Sequence, residues 1–223
     1  MALFHLLVSP LIISDKDVLD LGSGCGDSTA LLREMKPRSV RGVTAEKSQF
    51  EVSKKRFPRL DFVNSDAITY LSLMEKETVD CIIALDCVYH FSSRKQFLKH
   101  SFHTLRPGGH LALTDLILGN ETTFLQRLLL RIICFLTSSP YANFKTQETY
   151  LKDYIAAGFV DLEAEDISDD VFLGLAGFIG RHRTTMTGFG IKASWGGYLG
   201  FRRVLEWWSK GVVRFVVVHA EKW

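Results

Sequence analysis

Residues 18–28 read VLDLGSGCGDS. An apolar run ends at Asp20-Leu21, glycines alternate at Gly22, Gly24 and Gly26, and Asp27 and Ser28 open a helical pattern. Alternating glycines permit a tight turn and let a ligand approach the backbone. Behind that turn lie the free N–H groups of a helix start. Such a loop can serve a phosphate. Here the spacing is GxGxG rather than GxGxxG, and carboxylates stand on both sides, at Asp20 and Asp27. Those charges repel a pyrophosphate and favour a cationic or amine-bearing ligand.

The pattern extends outward from this loop. Asp17–Leu21 reads as a strand and Asp27–Met35 as a helix with Asp27 or Ser28 as N-cap. Ser39–Thr44 is a second strand, Lys47–Phe57 a helix stopped by Pro58, Leu60–Asn64 a third strand, and a short helix runs from Ala67 to about Glu75. Val79–Leu85 is a continuous apolar run, as a strand buried on both faces requires. Lys95–Leu105 is helical, Arg106–Gly109 (RPGG) is a turn, and His110–Leu116 is a fifth strand. This alternation predicts an α/β fold whose parallel sheet has helices on both faces and ligands at the strands' carboxyl edge. Thr122–Thr137 and Thr146–Ala157 read as further helices, and Val160–Ile167 and Val212–Ala220 as the last strands. Between those strands lies an insert with amphipathic segments at about Asp170–Met186 and Tyr198–Lys210.

The 223 residues are 47% apolar and 23% charged, enough for one sizeable core and too few for two full domains. A single domain over 1–223 is expected, with its core at 15–118, 146–168 and 212–221 and a helical cap at 119–145 and 169–211. Lys+Arg total 27 against 25 Asp+Glu, which gives no reason to expect nucleic acid as a partner. Cys25, Cys81, Cys87 and Cys134 form no CxxC pair, and three lie in or beside apolar runs. Reduced thiols of a cytoplasmic protein fit better than disulfides or zinc, and no metal is expected. The start, MALFHLLVSPLII, lacks a basic n-region and a cleavage site, so a signal peptide is not expected. No stretch reaches the ~18 uncharged apolar residues of a spanning helix.

VLDLGSGCGDS resembles motif I, (D/E)xGxGxG, of the class I S-adenosylmethionine-dependent methyltransferases, in the small-molecule branch that includes sterol and cyclopropane-synthase-like enzymes. The resemblance implies a Rossmann-like, doubly wound α/β fold: a mostly parallel seven-stranded sheet with an antiparallel last strand, and a helical cap. It implies S-adenosyl-L-methionine as cofactor, with Asp20, Gly22, Ser23, Gly24 and Gly26 in the loop beneath its nucleoside and methionine moieties. A strand–helix turn without a ligand is the plain alternative for this loop taken alone.

Further stations agree. GVTAEKSQ at 42–49 resembles the GLTLSxxQ stretch of cyclopropane-synthase-like relatives, which implies that Thr44, Ala45 and Gln49 face the cofactor's sugar region. Many relatives carry an acid where this chain has Thr44; Glu46 is the alternative, and strand propensity alone also explains the threonine. Ser65-Asp66-Ala67 resembles the (G/N)xDA station, where the acid accepts from the adenine amino group and Ala67 offers its N–H. Asp66 suits a plain helix cap equally well. After the fourth strand, Leu85 and Asp86 are expected along the cofactor, with Tyr89, His90 and Phe91 near the acceptor. RPGG at 106–109 matches the family's turn before strand five.

The implied chemistry is in-line displacement at an electrophilic sulfonium methyl, with the protein supplying alignment and water exclusion. His90 is the candidate base and Tyr89 an orienting residue or a ring contact to the sulfonium; the alternative is that YHF is only an aromatic wall. Cyclopropane synthases hold bicarbonate with an acid where this chain has Tyr89, so simple methyl transfer is favoured over ring closure.

FLQRLLLRIICFL (124–136), DVFLGLAGFIGRHR (170–183) and LEWWSK (205–210) are apolar with scattered basic residues. They suit a lid over a pocket for an apolar small-molecule acceptor such as a lipid, terpenoid, sterol or aromatic secondary metabolite. Peripheral membrane contact and simple packing as a helical cap are the other readings. The oligomeric state, monomer or homodimer, stays open. MALFHLL offers at most two helical turns, shorter than the N-terminal segment that closes over the cofactor in many relatives. A non-catalytic or truncated member of the fold, binding cofactor or a partner without turnover, is therefore kept as the alternative function. A nicotinamide oxidoreductase would want GxGxxG and an acid ending strand two, and neither is present.

Overall fold

The computed structural model describes residues 2–189 and 196–223. The part of the expected cap at 190–195 lies outside the described residues.

A short helix α1 (Ala2–Val8) precedes β1 (Asp17–Leu21), α2 (Asp27–Glu34), β2 (Ser39–Thr44), α3 (Lys47–Arg56), β3 (Asp61–Asn64), α4 (Ala67–Ser72) and β4 (Val79–Ala84). Then follow α5 (Arg94–Thr104), β5 (Leu105–Leu118), α6 (Phe124–Leu136), α7 (Gln147–Ala157), β6 (Phe159–Asp166), α8 (Ser168–Gly188), α9 (Gly196–Trp207) and β7 (Val213–Lys222). The strands form one seven-stranded sheet in the order β3-β2-β1-β4-β5-β7-β6. β7 runs antiparallel to both β5 and β6, and the other pairings are parallel.

Alternate residues along each central strand feed opposite faces, which is why the apolar runs are continuous. Val18, Cys81, Ile83, Phe215 and Val217 join one core with α1, α2, α6, α8 and α9. Leu19, Ile82, Ala84, Val216 and Val218 join a second core with α4, α5 and α7. Cap helices and core helices therefore share one apolar layer. The expected N-terminal piece packs at the sheet, with Phe4, Leu7 and Val8 buried in the first core and Leu7 O held 2.8 Å from His219 Nε2. All four cysteines are free.

One expectation is corrected. RPGG is not a turn before strand five: β5 starts at Leu105, and pairing with β4 shifts register between Val79 and Cys81. Gly108, at φ +72°, takes the left-handed backbone that the irregularity demands.

Candidate functional site

The strand order reverses between β1 and β4, and the crevice at that switch point is where open α/β sheets bind ligands. A cavity of about 810 Å³ lies along this edge, within the range of roughly 300–1,000 Å³ usual for small-molecule sites. Its walls come from the residues that follow β1, β2, β3 and β4, joined by Ser138 after α6.

Gly22, Gly24, Thr44, Ala45, Gln49, Ser65, Asp66, Ala67, Asp86 and His90, separated by up to about seventy positions in sequence, all line the cavity. Gly22 has φ +75°, and a Cβ there would sit 2.5 Å from Cys87 Sγ, so only glycine fits. Gly24 has φ +54°, and among the described residues a Cβ there would meet nothing within 4 Å. Its open face is the floor of the cavity, the place where a ligand can touch main chain.

Asp20 does not line the cavity. It is buried behind the loop, where Ser28 Oγ (2.7 Å) and Thr29 Oγ1 (2.5 Å) donate to its Oδ2. Burial raises its carboxyl to about 6 against the lowering pull of those hydroxyls. Among the described residues its Oδ1 and the buried Ser23 Oγ have no hydrogen-bond partner. Asp27 is neutralised by Arg56, with contacts of 2.6 and 2.7 Å, which hold its carboxyl below the ordinary range. The anionic loop expected from two flanking carboxylates is thus corrected: one charge is spent on an ion pair, and the other is desolvated. Gly26 packs against Phe62 and Phe57, away from the cavity.

The β2 station is built as a unit. Thr44 Oγ1 donates to Gln49 Oε1 at 3.1 Å, and Asn64 Nδ2 donates to the carbonyls of Thr44 and Ala45 at 2.9 and 3.0 Å. Glu46 also lines the cavity. Asp66 caps α4, its Oδ1 accepting from Thr69 N at 2.9 Å. Partial burial pushes that carboxyl up, but the bonds from the helix start outweigh it and hold it below the usual range. The cap leaves Asp66 exposed at the cavity wall.

Asp86 follows β4 at φ +55°, rare for a non-glycine residue, with its N–H donating to Thr114 Oγ1 at 2.7 Å. Its accessible surface faces the cavity. Desolvation raises its carboxyl, opposed by the Tyr89 hydroxyl, which donates to Asp86 Oδ1 at 2.8 Å. Tyr89 and Leu85, both partly buried, pack against the first core, outside the walls of the cavity. The Tyr89 phenol is pushed well up by burial and by Asp86.

His90 lies within a single 3₁₀ turn, Val88–His90. Its Nδ1 is 3.1 Å from Ser139 Oγ, and burial lowers its basicity against the opposing pull of Asp86. In the tautomer whose Nδ1–H donates to Ser139, Nε2 is the acceptor; in the other, Ser139 donates to Nδ1. The residues that sequence reasoning missed come from beside and across this turn. Cys87 lines the cavity and donates to Leu21 O at 3.2 Å; Ser138 lines it from the cap; Ser139 holds the histidine. Their signal was only proximity: Cys87 adjoins Asp86, and the two serines end the apolar α6.

Comparison with known proteins now identifies the class. Residues 18–109 match the family described as a methyltransferase domain. The chain is 32% identical over 174 residues to erythromycin 3''-O-methyltransferase of Saccharopolyspora erythraea, an alignment covering 71% of this chain and 56% of that one. It is 32% identical over 125 residues to phthiotriol/phenolphthiotriol dimycocerosates methyltransferase 1 of Mycobacterium ulcerans, covering 53% of this chain and 44% of that one. Among solved structures, phosphoethanolamine N-methyltransferase 2 of Haemonchus contortus, in complex with S-adenosyl-L-methionine, superposes with a TM-score of 0.80 at 19% identity, over 99% of this chain and 51% of that one. A cyclopropane synthase of Mycobacterium tuberculosis gives 0.76 at 18%, over 99% and 83%. Residues 18–109 therefore match a methyltransferase domain, and the chain as a whole has the fold of the class I methyltransferases. It spans about half the length of the curated relatives it matches.

The family's cofactor suits this cavity on the chain's own terms. Gly24 presents bare main chain, and Thr44, Gln49, Glu46 and Asp66 offer acceptors for hydroxyl and amino groups.

Proposed function

We propose that this chain transfers a methyl group from S-adenosylmethionine to a small apolar acceptor. The observation that carries the reading is the bare face of Gly24 on the floor of a cavity walled by four successive strand ends. When bound, the cofactor supplies an electrophilic methyl group. Thr44, Ala45, Gln49, Ser65, Asp66 and Ala67 would hold its nucleoside end, with Gly22, Ser23 and Gly24 at the loop, which Asp20 braces from behind, and Asp86 beside β4. His90 Nε2 accepts a proton from an acceptor hydroxyl or amine, and Ser139 fixes its ring. Tyr89 positions the Asp86 carboxylate.

Support for an apolar acceptor comes from relatives named for a macrolide and for mycobacterial lipids, and from the apolar cap whose end closes one side of the cavity. The cap segments at 119–145 and 169–211 and the core at 15–118, 146–168 and 212–221 together make one methyltransferase domain in this reading. Calorimetry with S-adenosylmethionine and with NAD, followed by detection of S-adenosylhomocysteine against macrolide, terpenoid and lipid acceptors, tests it. Binding of the first nucleotide and product with an apolar acceptor are expected; preference for NAD overturns the reading.

A further inference from the structure

Helix α6 is only thinly buried. Leu130 and Cys134 face the core, while Phe124, Leu125, Leu128, Ile132, Phe135 and Leu136 are exposed, Phe124 by 80% and Phe135 by 85%. At 100° per residue those six share an arc of about 120°, centred opposite Leu130. Arg131 and Arg127 flank one side of the arc, and the segment FLQRLLLRIICFL holds no carboxylate. The helix end is secured by a full capping box, in which Thr123 Oγ1 accepts from Gln126 N and Gln126 Oε1 accepts from Thr123 N. A preformed helix with a water-facing apolar stripe of this size marks an interaction surface.

Three observations choose the occupant. The stripe's flank is purely cationic, which complements anionic headgroups; a second copy would bring further arginines and no carboxylate to meet them. The helix has 13 residues, and among the described residues no helix is long and apolar enough to cross a membrane, so α6 suits the plane of an interface. Its carboxyl end leads into the cavity, because Ser138 lines that space and Ser139 contacts His90.

We propose that α6 docks in the plane of an anionic lipid bilayer, with its apolar stripe at the acyl boundary and Arg127 and Arg131 among the headgroups. This sets the mouth of the cavity beside the membrane, so that an apolar acceptor reaches it without crossing water. The docking itself stands on α6 and is independent of the methyl-transfer reading.

Sedimentation of the full chain with phosphatidylcholine vesicles, with and without phosphatidylglycerol, tests the proposal. Binding to the phosphatidylglycerol vesicles is expected, weakening with salt. The Phe124→Gln/Phe135→Gln double variant should lower vesicle affinity by about tenfold or more, with thermal midpoint and S-adenosylmethionine affinity unchanged. If that pair does not fold, Leu125→Gln/Leu136→Gln, exposed by 73% and 74%, should give the same drop. Absent vesicle binding by the wild-type chain overturns the proposal, as does equal binding by a folded double variant. So does a wild-type dimer that the variant turns into a monomer without vesicle binding, which would make the stripe an interface between copies. Calorimetry with S-adenosylmethionine on the same protein reports separately on the proposed function.

Discussion

Arg94 Nη2 lies 2.7 Å from Asp115 Oδ2, and both side chains are buried between α5 and β5. The same guanidinium donates to Asn143 O and lies 4.7 Å from the centre of the Tyr150 ring. Asn143 in turn donates its Nδ2 to Phe91 O (2.7 Å) and Tyr89 O (3.2 Å), the residues on either side of His90. An ion pair in the core thus fixes the turn after the cap helix, and that turn fixes the backbone of the candidate base. Asp115→Ala would strand a buried guanidinium, at a cost of about 3–5 kcal/mol. Urea denaturation should show that loss.

Asn143→Ala separates support from chemistry. Its two amide hydrogen bonds are worth about 1–3 kcal/mol together. The folded variant should bind S-adenosylmethionine as the wild type does, because Asn143 does not line the cavity. Its kcat should fall several-fold as the His90 turn loosens. Equal kcat in the two proteins would show that the turn holds its shape without the amide.

Two glycines should respond differently to the same substitution. Gly22→Ala drives a methyl to 2.5 Å from Cys87 Sγ at φ +75°, so it should lower stability by well over the ~1–2 kcal/mol of left-handed strain alone. Among the described residues Gly24→Ala meets no atom within 4 Å and should cost only that strain. Its methyl enters the cavity floor, so cofactor affinity should fall at least about tenfold in a protein that still folds. Calorimetry and thermal melts on the pair check both halves.

The strands that build the edge were legible to within a residue or two, because a strand buried on both faces leaves an unbroken apolar run, as at Val79–Ala84. The glycine loop and the stations at Thr44 and Asp66 were legible because each sits at a strand end. Electrostatics were not. Asp27 reads as a free carboxylate until Arg56, 29 positions away, is folded against it. Asp115 reads as one more strand residue until Arg94 reaches it. The periodicity of 124–136 announced an amphipathic helix, but the burial of Leu130 and Cys134 alone decides that its wider apolar face points outward.

Asp20 makes stability depend on pH in an unusual direction for an acid. Its folded value, about 6, lies above the ordinary 3.8, so the folded state holds the proton more tightly than the unfolded chain. That contribution is fully present below pH 3.8 and is lost as pH rises through 6. Asp20→Asn removes the penalty while its side-chain oxygen can still accept from Ser28 and Thr29. The ligand-free variant should exceed the wild type by about 2–3 kcal/mol at pH 8, with the gap closing toward pH 4.

His90 offers the last discrimination, between a proton acceptor and a wall. Burial lowers its basicity below the ordinary 6.5, so the ring stays neutral to a more acid pH than a free imidazole. With a hydroxyl acceptor, kcat/KM should fall only below pH 6.5, tracking protonation of this ring. His90→Gln keeps a polar side chain beside Ser139 and removes the base. It should cut kcat by about 10²–10⁴ and abolish the acid limb, with S-adenosylmethionine affinity little changed. An unaltered pH profile in His90→Gln would leave the histidine as packing, and the acceptor's proton would have to leave to solvent or to Asp86, the carboxylate on the cavity wall after β4.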